Sequence, residues 1–331
     1  ETGSPLILVL VFLVIGFAFL MKGADFFVEG SSSIAKRLKV PPIIIGLTIV
    51  AMGTSLPETA VSVTASLVNN NELAVSNVVG SNIFNLMVVV GVCSILTPIL
   101  VQKETIKRDI PFSMICAFLL LGLGILAVGD KSGMTLGHLD GMILLGFFAG
   151  YIVAMIQSAM KARAAGKNVE IEGIEELEEE IGILSWPKSI LFIVGGALAI
   201  AFGGDLTVDA ASRIAIDLGM SQTLVGLTIV SIGTSLPELV TSVVAARKNE
   251  VDMAVGNAVG SNIFNILMVL GIASAINPVA LIRENIIDIV ILIVFSLIVW
   301  IYAATKRKIS RKEGISMVCL YLIYAGYIIW R

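Results

Sequence analysis

Residue n of this chain matches residue n+180 without a gap over a long stretch: Gly46 to Ile99 against Gly226 to Val279 shares 29 of 54 positions. A duplication of that fidelity commits the chain to two like halves. The match begins earlier, at Gly23, Asp25 and Val28 against Gly203, Asp205 and Val208. Two blocks hardly vary. The first is Gly46-Leu-Thr-Ile-Val-Ala-Met-Gly-Thr-Ser-Leu-Pro-Glu58 against Gly226-Leu-Thr-Ile-Val-Ser-Ile-Gly-Thr-Ser-Leu-Pro-Glu238; the second is Gly80-Ser-Asn-Ile-Phe-Asn85 against Gly260-Ser-Asn-Ile-Phe-Asn265.

Both copies lie in strongly apolar sequence. Only 14% of the 331 residues are charged, 57% are hydrophobic and the mean hydropathy is +0.98, against roughly 25% charged in an ordinary soluble domain. That excludes a soluble globular enzyme. With 22 basic against 25 acidic residues, no basic surface is available for nucleic acid. No Gly-Lys-Ser/Thr phosphate loop occurs, so ATP-driven pumping has no support. Cys93, Cys116 and Cys319 are far apart in apolar stretches and read as small core residues, with neither disulfide nor metal-ligand spacing. Glu1 to Pro5 reads as a cleavage scar before the first apolar run.

A bilayer core of roughly 30 Å needs about 20 apolar residues per helix. Runs of that length fall near 6–30, 42–68, 73–98, 110–129, 137–160, 187–205, 222–246, 252–278, 285–304 and 315–330. Barrel strands alternate apolar and polar residues in segments of about ten, whereas Ile286 to Tyr302 is continuously apolar. The expected fold is therefore an all-α integral membrane protein of ten transmembrane helices. The odd-numbered loops hold 17 of the 22 Lys and Arg residues, which places them in the cytoplasm and both termini outside. One sizeable hydrophilic segment, 161–186, carries seven glutamates between Glu170 and Glu180. It lacks EF-hand spacing and reads as a solvated cytoplasmic linker between an N-terminal half (6–160) and a C-terminal half (187–331). Five spans per half is an odd number, so the second copy enters the membrane from the other side. The prediction is two inverted-topology five-helix repeats, centred on about 46–99 and 226–279, with ligand sites on interrupted core helices near the midplane.

Identity between the copies concentrates in polar, helix-breaking residues inside apolar spans. Pro57 and Pro237 lack an N–H and clash with the carbonyls of Gly53 and Gly233. Irregular backbone at membrane depth persists only inside protein or along a cavity, where a freed carbonyl suits a hard cation. Ala51, Thr54, Ser55 and Glu58 share one helix face, as do Ser231, Thr234, Ser235 and Glu238. Ser81 with Asn85 and Ser261 with Asn265 are i, i+4 pairs. A carboxylate at a helix centre costs roughly 2.5–3.5 kcal/mol on insertion scales and marks function by default; the competing role is a protonated glutamic acid hydrogen-bonded to a neighbouring helix. A set of oxygens without His or Cys suits Ca²⁺ or Na⁺ over Zn²⁺ or Cu, and two negative charges match one Ca²⁺. His138 reads as an interfacial residue. Asp25, Glu29, Asp205 and Asp209 read as solvated helix-end residues, with a cation vestibule as the second choice.

At these two blocks the sequence resembles the calcium/cation antiporter superfamily, in particular its sodium/calcium exchanger branch and prokaryotic homologues. The resemblance covers the ten-span plan and both repeats. It implies two inverted five-helix halves around shared central sites that take either one Ca²⁺ or about three Na⁺. It further implies that Glu58 and Glu238 are the shared acids, that Thr54 and Thr234 give hydroxyl and backbone oxygens, and that Ala51 and Ser231 offer carbonyls to Na⁺. Ser55, Ser235, Ser81 and Ser261 add hydroxyls, and Asn85 and Asn265 lie mid-cluster. Some relatives carry Asp where Asn265 stands, a substitution associated with potassium dependence. The G-N-A-x-E pattern of the calcium/proton exchangers is replaced by Gly256-Asn-Ala-Val-Gly260.

The leading expectation is thus a non-enzymatic, electrogenic, K⁺-independent Na⁺/Ca²⁺ antiporter of the cell membrane, working by alternating access, without cofactor, ATP or nucleic acid and with the lipid bilayer as its surroundings. Ca²⁺/H⁺ exchange by the same glutamates is the alternative, and a cation channel with the two acids as its constriction is the third.

Overall fold

The computed structural model describes residues 6–67, 71–125, 134–164, 183–219 and 231–330. The segment 1–5 and most of the Glu-rich linker lie outside these. Among the described residues eight helices are long and apolar enough to cross a membrane, and a bent helix pair makes a ninth if it is counted as one span.

Helix α1 (Leu6–Leu38) and helix α7 (Trp186–Asp217) are the longest, at 33 and 32 residues. At 1.5 Å per residue each is about 50 Å long, well beyond a bilayer core, so each must tilt or project. They pack against one another along small residues spaced by seven: Gly16, Gly23 and Gly30 on α1, Ser189, Gly196 and Gly203 on α7. A Cβ on Gly196 would sit 2.7 Å from the carbonyl oxygen of Gly23, and one on Gly23 would sit 2.9 Å from that of Gly196. Hydrogen in place of a side chain lets the two backbones touch. The outward faces carry exposed Leu, Ile and Phe such as Phe12, Phe17, Leu191 and Leu198.

The expected second span is two helices, α2 (Pro42–Thr54) and α3 (Leu56–Leu67), inclined by 49°. The hinge is Ser55, whose φ −83° and ψ 11° leave the helical region, two residues before the proline that cannot donate to Gly53. The same break recurs 180 residues on, where α8 (Ser231–Gly233) precedes α9 (Leu236–Arg247) and Ser235 has φ −93° and ψ 3°. The rest of the expected seventh span, before Ser231, falls outside the described residues.

At the centre lie α4 (Ala74–Leu96) and α10 (Val251–Ile276), the most buried of the candidate spans. Each is widened by a π-helical turn at equivalent positions, Asn85–Val89 and Asn265–Val269. Such turns insert one residue into the ladder and are frequent at functional sites. Around this core stand α5 (Thr105–Ile125), α6 (His138–Ala164), α11 (Arg283–Lys306) and α12 (Arg311–Trp330). Two short antiparallel bridges tie the halves crosswise: β1 (Ile99–Leu100) pairs with β4 (Lys308–Ile309), and β2 (Thr135–Leu136) with β3 (Val279–Ala280).

Three expectations need correction. The first and sixth spans run on to Leu38 and Asp217, so Asp25, Glu29, Asp205 and Asp209 sit two or more turns inside their helices, not at the ends. Asp25 instead pairs with Lys248 at 3.4 Å and Lys22 at 3.8 Å. Many of the basic residues counted in the odd-numbered loops likewise belong to helix ends, among them Lys36, Arg37, Lys107, Arg108, Lys161, Lys188, Arg247, Lys306, Arg311 and Lys312. Cys93 and Cys116 are buried, but Cys319 is exposed on α12.

Candidate functional site

The breaks at Ser55 and Ser235 and the π turns of α4 and α10 meet in one buried cluster of oxygen atoms. Glu58 and Glu238, at the starts of α3 and α9, are fully buried. Each carboxylate is held from both halves of the chain. Ser81 donates to Oε1 of Glu58 at 3.1 Å and Ser235 does so at 3.3 Å. Reciprocally, Ser261 donates to Oε1 of Glu238 at 3.3 Å and Ser55 at 3.0 Å. The crossing is physical: the hinge serine of each half reaches the acid of the other. Ser81 and Ser235 are also 2.8 Å apart.

The asparagines behave in the same way. Asn85 donates to Oδ1 of Asn262 at 3.2 Å, and Asn265 to Oδ1 of Asn82 at 3.1 Å. Asn82 and Asn262 exchange bonds, each Nδ2 donating to the other's carbonyl oxygen at 3.1 and 3.0 Å. These bonds stitch α4 to α10 at the level of the acids, so the amide oxygens of Asn85 and Asn265 are turned away from their own bonds.

Four buried oxygens in this cluster have no hydrogen-bond partner among the described residues: Oε2 of Glu58, Oε2 of Glu238, Oδ1 of Asn85 and Oδ1 of Asn265. They form two pairs related by 180 residues. An unsatisfied buried acceptor costs roughly 1–3 kcal/mol, more when charged, so four in one cluster mark a candidate cation site. Among the described residues no three His, Cys, Asp or Glu side chains converge, so the donor set is two carboxylates with neutral oxygens. That composition suits a hard cation.

Most of the sequence-predicted site residues come together here. Thr54 donates to Oδ1 of Asn257 at 3.0 Å and lies 3.4 Å from Ser261. The carbonyl oxygen of Ala51 receives the Ser55 N–H at 3.0 Å and lies 3.5 Å from the Ser261 hydroxyl. Thr234 donates to Oδ1 of Asn77 at 3.2 Å, and the side chain of Ser231 lies outside what is described. Gly260 on α10 allows this closeness, because a Cβ there would meet Ala51 Cβ and Leu47 Cα at 2.8 Å.

Sequence reasoning missed Asn77 and Asn257, which accept from the threonines from behind, and Ser62 and Ser242, which in turn accept from those asparagines. Each is a polar residue preserved between the repeats within an apolar span, the same signal that singled out the glutamates. His138 caps nothing at the site; its Nδ1 lies 3.0 Å from the carbonyl of Ala275 at the surface.

Two acids among neutral oxygens, buried on broken apolar helices, define a multi-pass membrane cation transporter. The sodium/calcium exchanger protein family matches residues 8–157 and 188–330, so the chain belongs to that family. It is 38% identical over 323 residues to CaxA of Alkalimonas amylolytica, covering 95% of this chain and 96% of that one. It is 33% identical over 336 residues to the sodium/calcium exchanger MaX1 of Methanosarcina acetivorans, covering 94% and 96%. The solved structure of the sodium-calcium exchanger NCX_Mj superposes with a TM-score of 0.81 at 30% identity, covering 97% of this chain and 98% of that one. The chain is a cation antiporter by family, and no enzymatic activity is implied.

Proposed function

We propose that the protein exchanges Na⁺ for Ca²⁺ across the cell membrane by alternating access, moving net charge and needing no K⁺. In this reading ten spans form two inverted five-helix repeats, with both termini outside and the Glu-rich linker in the cytoplasm. Glu58 and Glu238 are the shared acids; Thr54, Thr234, Ser55, Ser235, Ser81, Ser261, Asn85, Asn265 and the carbonyls of Ala51 and Ser231 complete the donor set.

The four unpartnered oxygens carry this reading. Ca²⁺ takes six to eight oxygens at roughly 2.3–2.6 Å, more than those four provide. A bound Ca²⁺ must therefore also draw on the serine and threonine hydroxyls that now donate to the carboxylates and amides. It occupies the whole cluster and leaves no complete set for Na⁺. Exchange follows from that competition: one load must leave before the other is held.

The test is ⁴⁵Ca²⁺ uptake into proteoliposomes loaded with Na⁺. The expected result is saturable uptake that requires an outward Na⁺ gradient. Uptake driven by a proton gradient in the absence of Na⁺ would replace this reading with Ca²⁺/H⁺ exchange, and unitary currents in planar bilayers would replace it with a channel.

A further inference from the structure

Behind each threonine of the site runs a chain of hydrogen bonds, and behind Thr54 its direction is set at the far end. In the second half, the Ser242 hydroxyl donates its only proton to the carbonyl oxygen of Ala254 at 3.4 Å. The Ser242 oxygen is left as an acceptor, and Nδ2 of Asn257 donates to it at 2.9 Å. The same Nδ2 faces the backbone oxygen of Glu238 at 3.4 Å. Two acceptors on one side fix the amide, since only its NH₂ can serve them. Its Oδ1 therefore points the other way, to Thr54, and accepts that hydroxyl's proton at 3.0 Å.

A hydroxyl has one proton and two lone pairs. With its proton committed to Asn257, Thr54 can present only lone pairs to the cavity. The other half holds the corresponding two bonds: Asn77 Nδ2 donates to Ser62 at 3.1 Å, and Thr234 donates to Asn77 Oδ1 at 3.2 Å. Asn257 is fully buried and Asn77 nearly so. Each asparagine belongs to the half opposite to its threonine.

We propose that Asn257 and Asn77 are positioning residues that fix the hydrogen-bond polarity of Thr54 and Thr234, so that each hydroxyl turns its lone pairs, and never its proton, toward the cation. Without the amide, the Thr54 proton returns to the Ala51 carbonyl at 3.3 Å or turns to the Glu238 carboxylate beside it. The first outcome ties up a backbone oxygen of the site, and the second ties up a carboxylate oxygen and sets a positive hydrogen against the ion. Neither residue touches the cation, so the effect appears in ion affinity and not in the transport steps themselves.

This inference rests on the cation-exchange reading, and the experiment separates the two. Ca²⁺ uptake is measured against Ca²⁺ and Na⁺ concentration for wild type, Asn257→Ala, Thr54→Val and the double variant, with Asn77→Ala, Thr234→Val and their double variant as an independent set. Each asparagine variant should raise the apparent KM for Ca²⁺ roughly three- to tenfold, the range of one lost hydrogen bond, with a maximal rate near that of wild type. In the Thr→Val background the same Asn→Ala change should add less than about twofold, because no hydroxyl remains to be oriented. Equal effects in both backgrounds, or a fallen maximal rate at unchanged KM, would overturn the relay in that half. Should Asn257→Ala fail to insert and fold, the Asn77 set decides. A wild-type protein that moves no Ca²⁺ would fail the exchange reading itself.

Discussion

Glu58 and Glu238 are each held by one serine from their own half and one from the other, with the remaining oxygen unpartnered. A dication between them is neutralised only if both are ionised. Glu58→Gln or Glu238→Gln keeps shape and hydrogen bonding but leaves one positive charge uncompensated in a buried site. Removing one partner from a buried ionic arrangement costs about 3–5 kcal/mol, so Ca²⁺ affinity should fall at least a hundredfold in either variant. Isothermal titration of the purified protein with Ca²⁺ checks this, and near-normal affinity in either variant would dislodge the carboxylates from the site. The acids, serines and block asparagines were legible in the sequence because spacing along a helix shows which residues share a face. The role of Asn257 was not, because its partner Thr54 lies 203 residues away on another helix, and no local period encodes that contact.

At the level of helices, the α1–α7 seam makes a sharp prediction from neighbouring residues. Gly196 faces α1, where a Cβ would meet Gly23 O at 2.7 Å and Phe27 N at 2.8 Å, both backbone atoms that cannot swing aside. Gly195 has nothing within 4 Å of its Cβ position. Gly196→Ala must push the helices apart and should cost about 1–3 kcal/mol, the usual range for overpacking. Gly195→Ala should cost nothing, since alanine is the better helix former. Thermal unfolding of the two purified variants in detergent measures the difference, and equal melting temperatures would refute the close contact. The hinges at Ser55 and Ser235 were foreseeable from the prolines that follow them. The π turns at Asn85 and Asn265 were not, because an i→i+5 bond leaves no residue-type signature comparable to a proline.

For the whole molecule, the charge count at the site decides whether transport senses voltage. Two carboxylates and no third acid converge among the described residues, with amides at Asn85 and Asn265. In the proposed exchange one Ca²⁺ would be balanced, whereas about three Na⁺ would carry one excess positive charge, worth roughly 2.3 kcal/mol per 100 mV. An inside-positive potential should therefore speed Na⁺ export coupled to Ca²⁺ entry in K⁺-free vesicles whose voltage is clamped by another ion. A voltage-indifferent rate, or an absolute need for K⁺, would show that the site carries a different charge. The sequence by itself determined the apolar helical class, the two-fold repetition and the oxygen-only chemistry, since these follow from composition, self-similarity and residue type. It fell short at the helix ends, placing those of the first and sixth spans too early, because Asp25 and Asp205 read as solvated ends while in the folded chain they remain helical. Only the tertiary structure decided that the hinge serine of one half serves the acid of the other, and that asparagines of opposite halves bond reciprocally. Those bonds span 177 to 183 residues, and their geometry exists only once the two repeats have packed face to face.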